Sequence, residues 1–513
     1  MFAARSANGK RVSACVCNSK EVITLTKGRL SKGAAFFIFS FACWGQDPLA
    51  VKSQQAKQLM AQGRFTEAAS VYEELTKAMP ANTGLRMNLG MAQHMAGRDQ
   101  DAVATFEPLL KIQSIPPALA MCGISYLRLG NASKAVDYLE RAVKAMPADL
   151  ELNAMLAEAA MTADRPAAAA MAWRTLTKAK PTEPRGWLEL GRAYEALAEQ
   201  AYLKLDQKAQ GSAYWLALVA ETRFKQQQLR SALSLYRDAL AKTDRPDWRE
   251  NVAIIYEKTG HADWAAIERK RIPASAPCVK PTPECHFRSK RFQAAAETAG
   301  DIPETLYWRS KAYNELARES FSRLSKFENS PEWHEFLAGL YRSQGKNAES
   351  ISEWRSALEK RPNDTNLAKE LCATLLANKE FAPAEINLRG MLEKSPDQPE
   401  LLWLLGDALV GQQKMEEALA PLEKAAALAP QVLPVRASLG RALMSANRAA
   451  EAAPHLEAAL PVDRDGSLHF QLSRALAAQG KTERNAGLLK KSQELRKLGE
   501  EAEQSGEITP PKI

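Results

Sequence analysis

Several things are scarce in this chain of 513 residues, and each scarcity removes a class of protein. Aromatic residues are only 7% of the total, few for the packed faces of a large β-sheet protein. Six scattered histidines (His94, His261, His286, His334, His455 and His469) make no H-E-x-x-H or paired-ligand spacing, and G-x-S-x-G and Rossmann glycine patterns are missing as well. The stretch Gly339-Leu-Tyr-Arg-Ser-Gln-Gly345-Lys346-Asn347 imitates a phosphate loop, but it has one residue too many between its glycines and Asn where Mg²⁺ needs Ser or Thr. With no nucleophile, base and stabiliser at workable spacings, no enzyme, cofactor or metal is expected. No apolar run reaches the roughly 20 residues of a membrane-spanning helix.

The net charge of +9 is concentrated at one end. Residues 1–46 carry Arg5, Lys10, Arg11, Lys20, Lys27, Arg29 and Lys32 against Glu21, and the remainder holds 62 basic and 59 acidic residues, or +3. That balance speaks against a nucleic-acid partner. Residues 27–45, KGRLSKGAAFFIFSFACWG, place positive charges before a short apolar run and small residues, the order of a secretory signal. Such a signal does not require the 26 residues in front, so initiation near Val22 or Leu25 is expected, with cleavage after Ala42 or Gly45. Lipidation of Cys43, which would bring membrane association, has only Ala42 in its favour. The expectation is an exported protein, periplasmic or secreted; the alternative is a cytoplasmic one with an unprocessed N-terminus.

What the chain has in quantity is alanine, leucine and periodicity. Gly63-Arg-Phe-Thr-Glu-Ala68, followed by Tyr72, Leu75 and Pro80, returns as Gly97 to Ala102 with Phe106 and Leu109, and again as Gly130, Ala135, Leu139, Ala142 and Pro147. Ser350, Ala384, Ala418 and Ala452 keep a period of 34, and Pro362, Pro396 and Pro430 close three of those units. Residues 187–194, WLELGRAY, carry Trp187, Leu190, Gly191 and Tyr194 in the W-x2-L-G-x2-Y pattern. Across about residues 48–495 the chain resembles the tetratricopeptide-repeat family. The resemblance implies an all-α, right-handed superhelical solenoid of helix-turn-helix units, with the A helices lining a concave wall.

A longer repeat is superposed. WLELGRAYEALAEQAYLKL at 187–205 matches LYWRSKAYNELARESFSRL at 306–324, and neither copy has the glycine that separates helix A from helix B, so a shortened or nearly continuous helix is expected in each. Residues 271–286, RIPASAPCVKPTPECH, hold four prolines and cannot continue a helix. The expected organisation is an N-terminal extension with the signal-like segment (1–45), a first array (46–270), a proline-rich linker (271–286), a second array with a capping helix (287–498) and a tail (499–513); His286 to Ala299 reads as a single unpaired helix.

Cys278 and Cys285 lie too far apart for haem attachment, and with His286 they supply three zinc ligands at most. Cys122 and Cys372 fall on core faces of distant repeats. In an oxidising compartment Cys278 and Cys285 are therefore expected to form a disulfide, and in a reducing one, two free thiols.

The binding surface follows from helix rotation. If Trp187, Leu190, Gly191 and Tyr194 face the core, residues one and five after Trp187 turn to the groove. That offset places Trp403 and Asp407, Ala437 and Arg441, and Phe470 and Arg474 on successive rungs, an aromatic and basic strip suited to a peptide. In the first array it places Met87, Met91 and His94, with Met95 at the edge, where flexible thioethers suit an apolar peptide. The competing reading for both sets is ordinary packing. Ser53, Lys57 and Asn88 match only part of the two-carboxylate clamp found in some members of the family. The function expected is a non-catalytic scaffold that binds a protein or peptide in its concave groove; the alternative is a cytosolic assembly or regulatory scaffold.

Overall fold

A computed structural model of the chain describes residues 48–272, 278, 280–481 and 483–504, with side chains as far as 497. The signal-like segment and the lipidation site at Cys43 lie outside these residues. Four helical hairpins come first: α1 (Pro48–Ala61) with α2 (Phe65–Ala78), α3 (Thr83–Met95) with α4 (Asp99–Ile112), α5 (Pro116–Arg128) with α6 (Ala132–Ala145), and α7 (Leu150–Thr162) with α8 (Pro166–Ala179). Next come α9 (Pro184–Ala209), α10 (Ala213–Lys225), α11 (Leu229–Lys242), α12 (Pro246–Lys258), α13 (Ala262–Lys270), α14 (Pro283–Arg288), α15 (Phe292–Ala296) and α16 (Pro303–Leu324). Five more pairs complete the chain: α17 (Pro331–Ser343) with α18 (Asn347–Lys360), α19 (Thr365–Ala377) with α20 (Phe381–Lys394), α21 (Pro399–Gly411) with α22 (Met415–Leu428), α23 (Leu433–Ser445) with α24 (Ala449–Ala459), and α25 (Ser467–Ala478) with α26 (Asn485–Gln504). Among the described residues there is no strand, and no helix is long and apolar enough to cross a membrane.

Each hairpin is closed by the same two devices. Its turn contains one residue in the left-handed region, glycine at Gly63, Gly97 and Gly130 but Asp164, Lys379, Gln413 and Asn447 at the equivalent places further on. Its helix A carries a residue without a side chain, or with a small one, where helix B crosses. A Cβ on Gly90 would overlap the Phe106 ring, one on Gly123 the Leu139 side chain, one on Gly440 the Leu456 side chain, each partner 16 positions downstream. Removing the Cβ lets the two backbones approach, and rows of alanines on helix B (Ala102, Ala135, Ala418, Ala452) are wholly buried in the crossing.

The boundary expected at 271–286 is not where the stacking breaks. α9 and α16, the two copies of the long repeat, are continuous helices of 26 and 22 residues, and they pack antiparallel along their length. Gly191 near the start of α9 meets Phe321 near the end of α16, the Ser310 hydroxyl donates to the Ala198 carbonyl at 3.0 Å, and Lys208 pairs with Asp301 at 3.1 Å. Tyr194 stacks on Tyr313, its own equivalent in the duplication, with centroids 6.1 Å apart. Equivalent residues in mutual contact are the mark of a local two-fold. In each copy the turn between helix A and helix B is gone, and each opened hairpin supplies the other's missing partner, a domain swap within one chain.

The N-terminal half of α9 and the C-terminal half of α16 thus complete one repeat of the main array. Ala317 of α16 joins the core of α4–α9, and α17 packs next, with Phe336 against Phe321 at 4.4 Å. The opposite halves anchor a side lobe, α10–α15, with its own core of Trp248, Tyr236, Tyr256 and Leu205 together with Leu306 and Tyr307 of α16. Cys278 and Cys285 are disulfide-bonded, with Cα atoms 5.4 Å apart. Cys122 and Cys372 are fully buried free thiols, and burial pushes the pKa of each up to about 12. Where one unpaired helix was expected over 286–299 there are two short ones, α14 and α15, since Ser289 to Arg291 make a turn with Lys290 in the left-handed region. α26 continues to Gln504, into what was expected as tail.

Candidate protein-binding face

Neighbouring A helices approach one another, α3 to α5, α5 to α7, α9 to α17, α19 to α21, α21 to α23 and α23 to α25, while the B helices of successive units stay further apart. The A side is therefore the inner, concave side. Three stretches of it differ in chemistry.

On α3, Met87 and Met91 are half-buried and Met95 is 49% exposed. Ile124 and Leu127 on α5 and Met161 on α7, also half-buried, carry the apolar surface onward, and these three were not singled out from the sequence. His94 does not join them. It is buried, its Nδ1 lies 2.8 Å from the Ser125 hydroxyl, and that hydroxyl donates to Asp99 at 2.7 Å. Burial, helped by Arg128 and opposed by Asp99, holds the His94 imidazole below its ordinary pKa. A serine, a histidine and an aspartate are in contact here, but Ser125 is 0% exposed and donates to the carboxylate, so the set is a structural tie between two rungs with no access for a substrate.

The middle of the face is ionic and paired with itself. Arg185 reaches Glu158 at 3.1 Å, Arg192 reaches Glu335 at 2.8 Å, Arg361 meets the same Glu335 at 3.0 Å, and Lys369 reaches Glu400 at 2.8 Å. Each pair bridges different helices, and burial raises the pKa of the Glu189 carboxyl beside Arg192. A cleft of about 350 Å³ lined by Arg185, Glu189, Arg192, Glu332, Glu335 and Arg361 lies in this stretch.

The last stretch is the strip expected from helix rotation. Arg441, Phe470 and Arg474 are exposed, Phe470 by 41%. Trp403 and Ala437 depart from the expectation of open groove residues. Trp403 is half-buried against the core, and its Nε1 donates to the Ser438 hydroxyl at 2.9 Å. Ala437 is buried, because α21 and α23 come close enough for the indole to span the gap between rungs. Arg441 donates to the same hydroxyl at 3.2 Å. Asp407 completes the cluster: burial raises its carboxyl pKa, while Ser438, Arg441 and Trp403 pull it the other way. Ser438, the hub of the cluster, gave no signal in the sequence because its partners are on two helices. Among the described residues no group of three or more His, Cys, Asp or Glu side chains has the arrangement of a metal site.

Repeating hairpins, small residues at every crossing and an inner wall of A helices define a class of protein. Tetratricopeptide-repeat models match residues 59–117, 121–184, 374–432 and 438–498, on both sides of the exchanged helices. The chain is a tetratricopeptide-repeat protein. Members of this family are protein-interaction scaffolds that generally bind protein partners and are typically non-catalytic. Parts of the chain are similar to solved structures. One is TTC0263, a thermophilic TPR protein of Thermus thermophilus (18% identity, 34% of this chain and 98% of that one, TM-score 0.29). A second is MamA from Desulfovibrio magneticus RS-1 (16% identity, 33% and 96%, TM-score 0.29), and a third is MamA MSR-1 (22% identity, 33% and 98%, TM-score 0.28). No curated protein matches the chain.

Proposed function

We propose that this protein is an exported, non-catalytic scaffold that holds a peptide segment of a partner protein along its inner face. The observation that carries the reading is the run Arg441, Phe470 and Arg474 on α23 and α25. Both arginines are exposed, neither forms a salt bridge with a described residue, and an exposed phenylalanine lies between them in the chain. In the middle of this face the cations Arg185, Arg192, Arg361 and Lys369 are matched by carboxylates, whereas Arg474 and the exposed part of Arg441 can meet carboxylates of a partner while its apolar side chains lie on Phe470 and Trp403. The apolar wall of Met87, Met91 and Met95 extends the same face and accepts side chains of varied shape. Export rests on the charged-then-apolar order of residues 27–45 and agrees with a disulfide at Cys278 and Cys285.

A photocrosslinking residue at Phe470, with one at Ile386 on α20 as control, tests the face in cells. Adducts to a discrete partner from position 470 and not from 386 are expected, and Arg474→Glu is expected to weaken capture by about 1–3 kcal/mol with the melting temperature unchanged. Equal labelling from both positions would remove the groove reading. Export is tested separately by mass spectrometry of the mature N-terminus.

A further inference from the structure

The last part of the side lobe, α14 and α15, lies between the rest of the lobe and the array and is too short to be stable alone. α14 has six residues and α15 five, and isolated helices below about 12 residues are marginal in water. Contacts to two different bodies hold them. On the lobe side, Glu284 of α14 pairs with Arg245 at 2.9 Å; Arg245 is buried, pairs also with Asp247 at 3.2 Å, and lies over the rings of Tyr214, Trp248 and Trp308. Phe287 packs on Trp308 with centroids 5.0 Å apart. On the array side, Ala295 and Ala296 of α15 pack against Ala312 of α16, Tyr194 of α9 donates to Gln293 at 3.3 Å, and Glu297 reaches Arg174 of α8 at 3.6 Å.

One covalent bond fixes this segment. Cys285 lies within α14, and the Thr282 hydroxyl, accepting from the Cys285 N–H, caps the helix inside the loop that the disulfide closes. Cys278 is exposed and Cys285 half-buried, so a small reductant can reach the bond. Cys122 and Cys372, buried among apolar side chains, offer no competing thiolate.

We propose that the Cys278–Cys285 bond is a redox-operated latch: oxidised, it pins α14 and α15 between lobe and array, and reduced, it releases them and loosens the lobe. The chemistry is exchange with a dithiol. One thiolate of the dithiol attacks Cys278 Sγ, and Cys285 Sγ leaves with the electron pair and takes up a proton. The second thiolate of the reagent then displaces Cys278 Sγ, which is protonated in turn. The reagent ends as a disulfide and the chain as two thiols, two electrons having passed to the chain. After reduction α14 is held by side-chain contacts alone, among them the Glu284–Arg245 pair, the packing of Phe287 on Trp308 and Phe292, and the Thr282 cap.

Hydrogen exchange read by mass spectrometry on the full chain tests this in three states: oxidised, reduced with dithiothreitol, and the Cys278→Ser, Cys285→Ser double variant without reductant. Amides of residues 285–297 are expected to exchange at least ten-fold faster in the second and third states, with those of α3–α7 unchanged. Equal exchange in all three states would mean that the bond restrains nothing. A uniform rise along the whole chain would make it a general stabiliser. Either result overturns the latch, and the reduced wild-type protein decides the matter if the double variant does not fold.

Discussion

A regular repeat and the exchanged one are closed by the same contact with different connectivity. In α3–α4 the glycine at 90 receives the ring of Phe106, reached through a tight turn at Gly97. In α9–α16 the glycine at 191 receives the ring of Phe321, 130 positions away, and no turn intervenes because each helix runs straight on. Close packing depends on which surfaces meet. The route of the chain between them is a separate matter, which explains how residues 210–302 leave the array as a lobe without interrupting it.

The strongest test of this equivalence is Gly191→Leu. The new side chain collides with the Phe321 ring where the N-terminal half of α9 is covered by α16, so a loss of about 3 kcal/mol is expected, with denaturation dividing into two transitions. Gly390→Leu on α20, where a Cβ meets nothing within 4 Å, is the control and should be nearly silent. A single transition with an unmoved midpoint for Gly191→Leu would break the comparison.

Tyr307→Phe acts on the other half of the exchange. The Tyr307 hydroxyl is wholly buried, accepts from Trp248 Nε1 at 3.0 Å and donates to Glu221 at 2.8 Å, tying α12 and α10 of the lobe to α16. Its removal strands a buried indole N–H and should cost the lobe about 1–3 kcal/mol, seen as a lower midpoint in tryptophan fluorescence while helicity reports an unchanged array. If fluorescence and helicity shift together, lobe and array are one cooperative unit.

The smallest effect is expected in a regular turn. Gln413, at φ 63°, holds a left-handed conformation where other hairpins use glycine. Gln413→Gly relieves that strain and raises flexibility in the unfolded chain, a net gain of about 0.5 kcal/mol measurable by urea titration. A loss would show that the Gln413 side chain contributes more than its backbone costs.

Much of this fold is written locally. The recurrence of Gly63, Gly97 and Gly130, the alanines of helix B and the absence of a turn in residues 187–205 and 306–324 all predict what the structure has, since each depends on neighbours a few positions away. The pairing of those two long helices is not legible in that way. Duplication shows that two segments are alike, and an apolar stripe looks the same whichever helix covers it. The four prolines of 271–286 correctly forbid a continuous helix but say nothing of where the chain goes next, so a linker between two arrays was the natural reading. The groove shows the same division. Helix rotation suffices for Phe470 and Arg474, whose exposure is a property of one helix. It fails for Trp403 and His94, because Ser438 and Ser125 wait on the next rung and only the spacing of rungs brings them into reach.

The missing turn also changes the order in which the molecule can be made. A regular hairpin closes as soon as its second helix leaves the ribosome, whereas the unit begun by α9 stays open until α16 has been synthesised. Closing over 130 positions rather than 16 adds about 2 kcal/mol of loop entropy, and in the interval the Gly191 face of α9 is an uncovered apolar edge. The side lobe is synthesised in that interval and carries α16 back to α9. The lobe core is completed by Leu306 and Tyr307 of α16 itself, so lobe folding and the return of α16 to α9 are one event, and damage to the lobe core is expected to slow refolding.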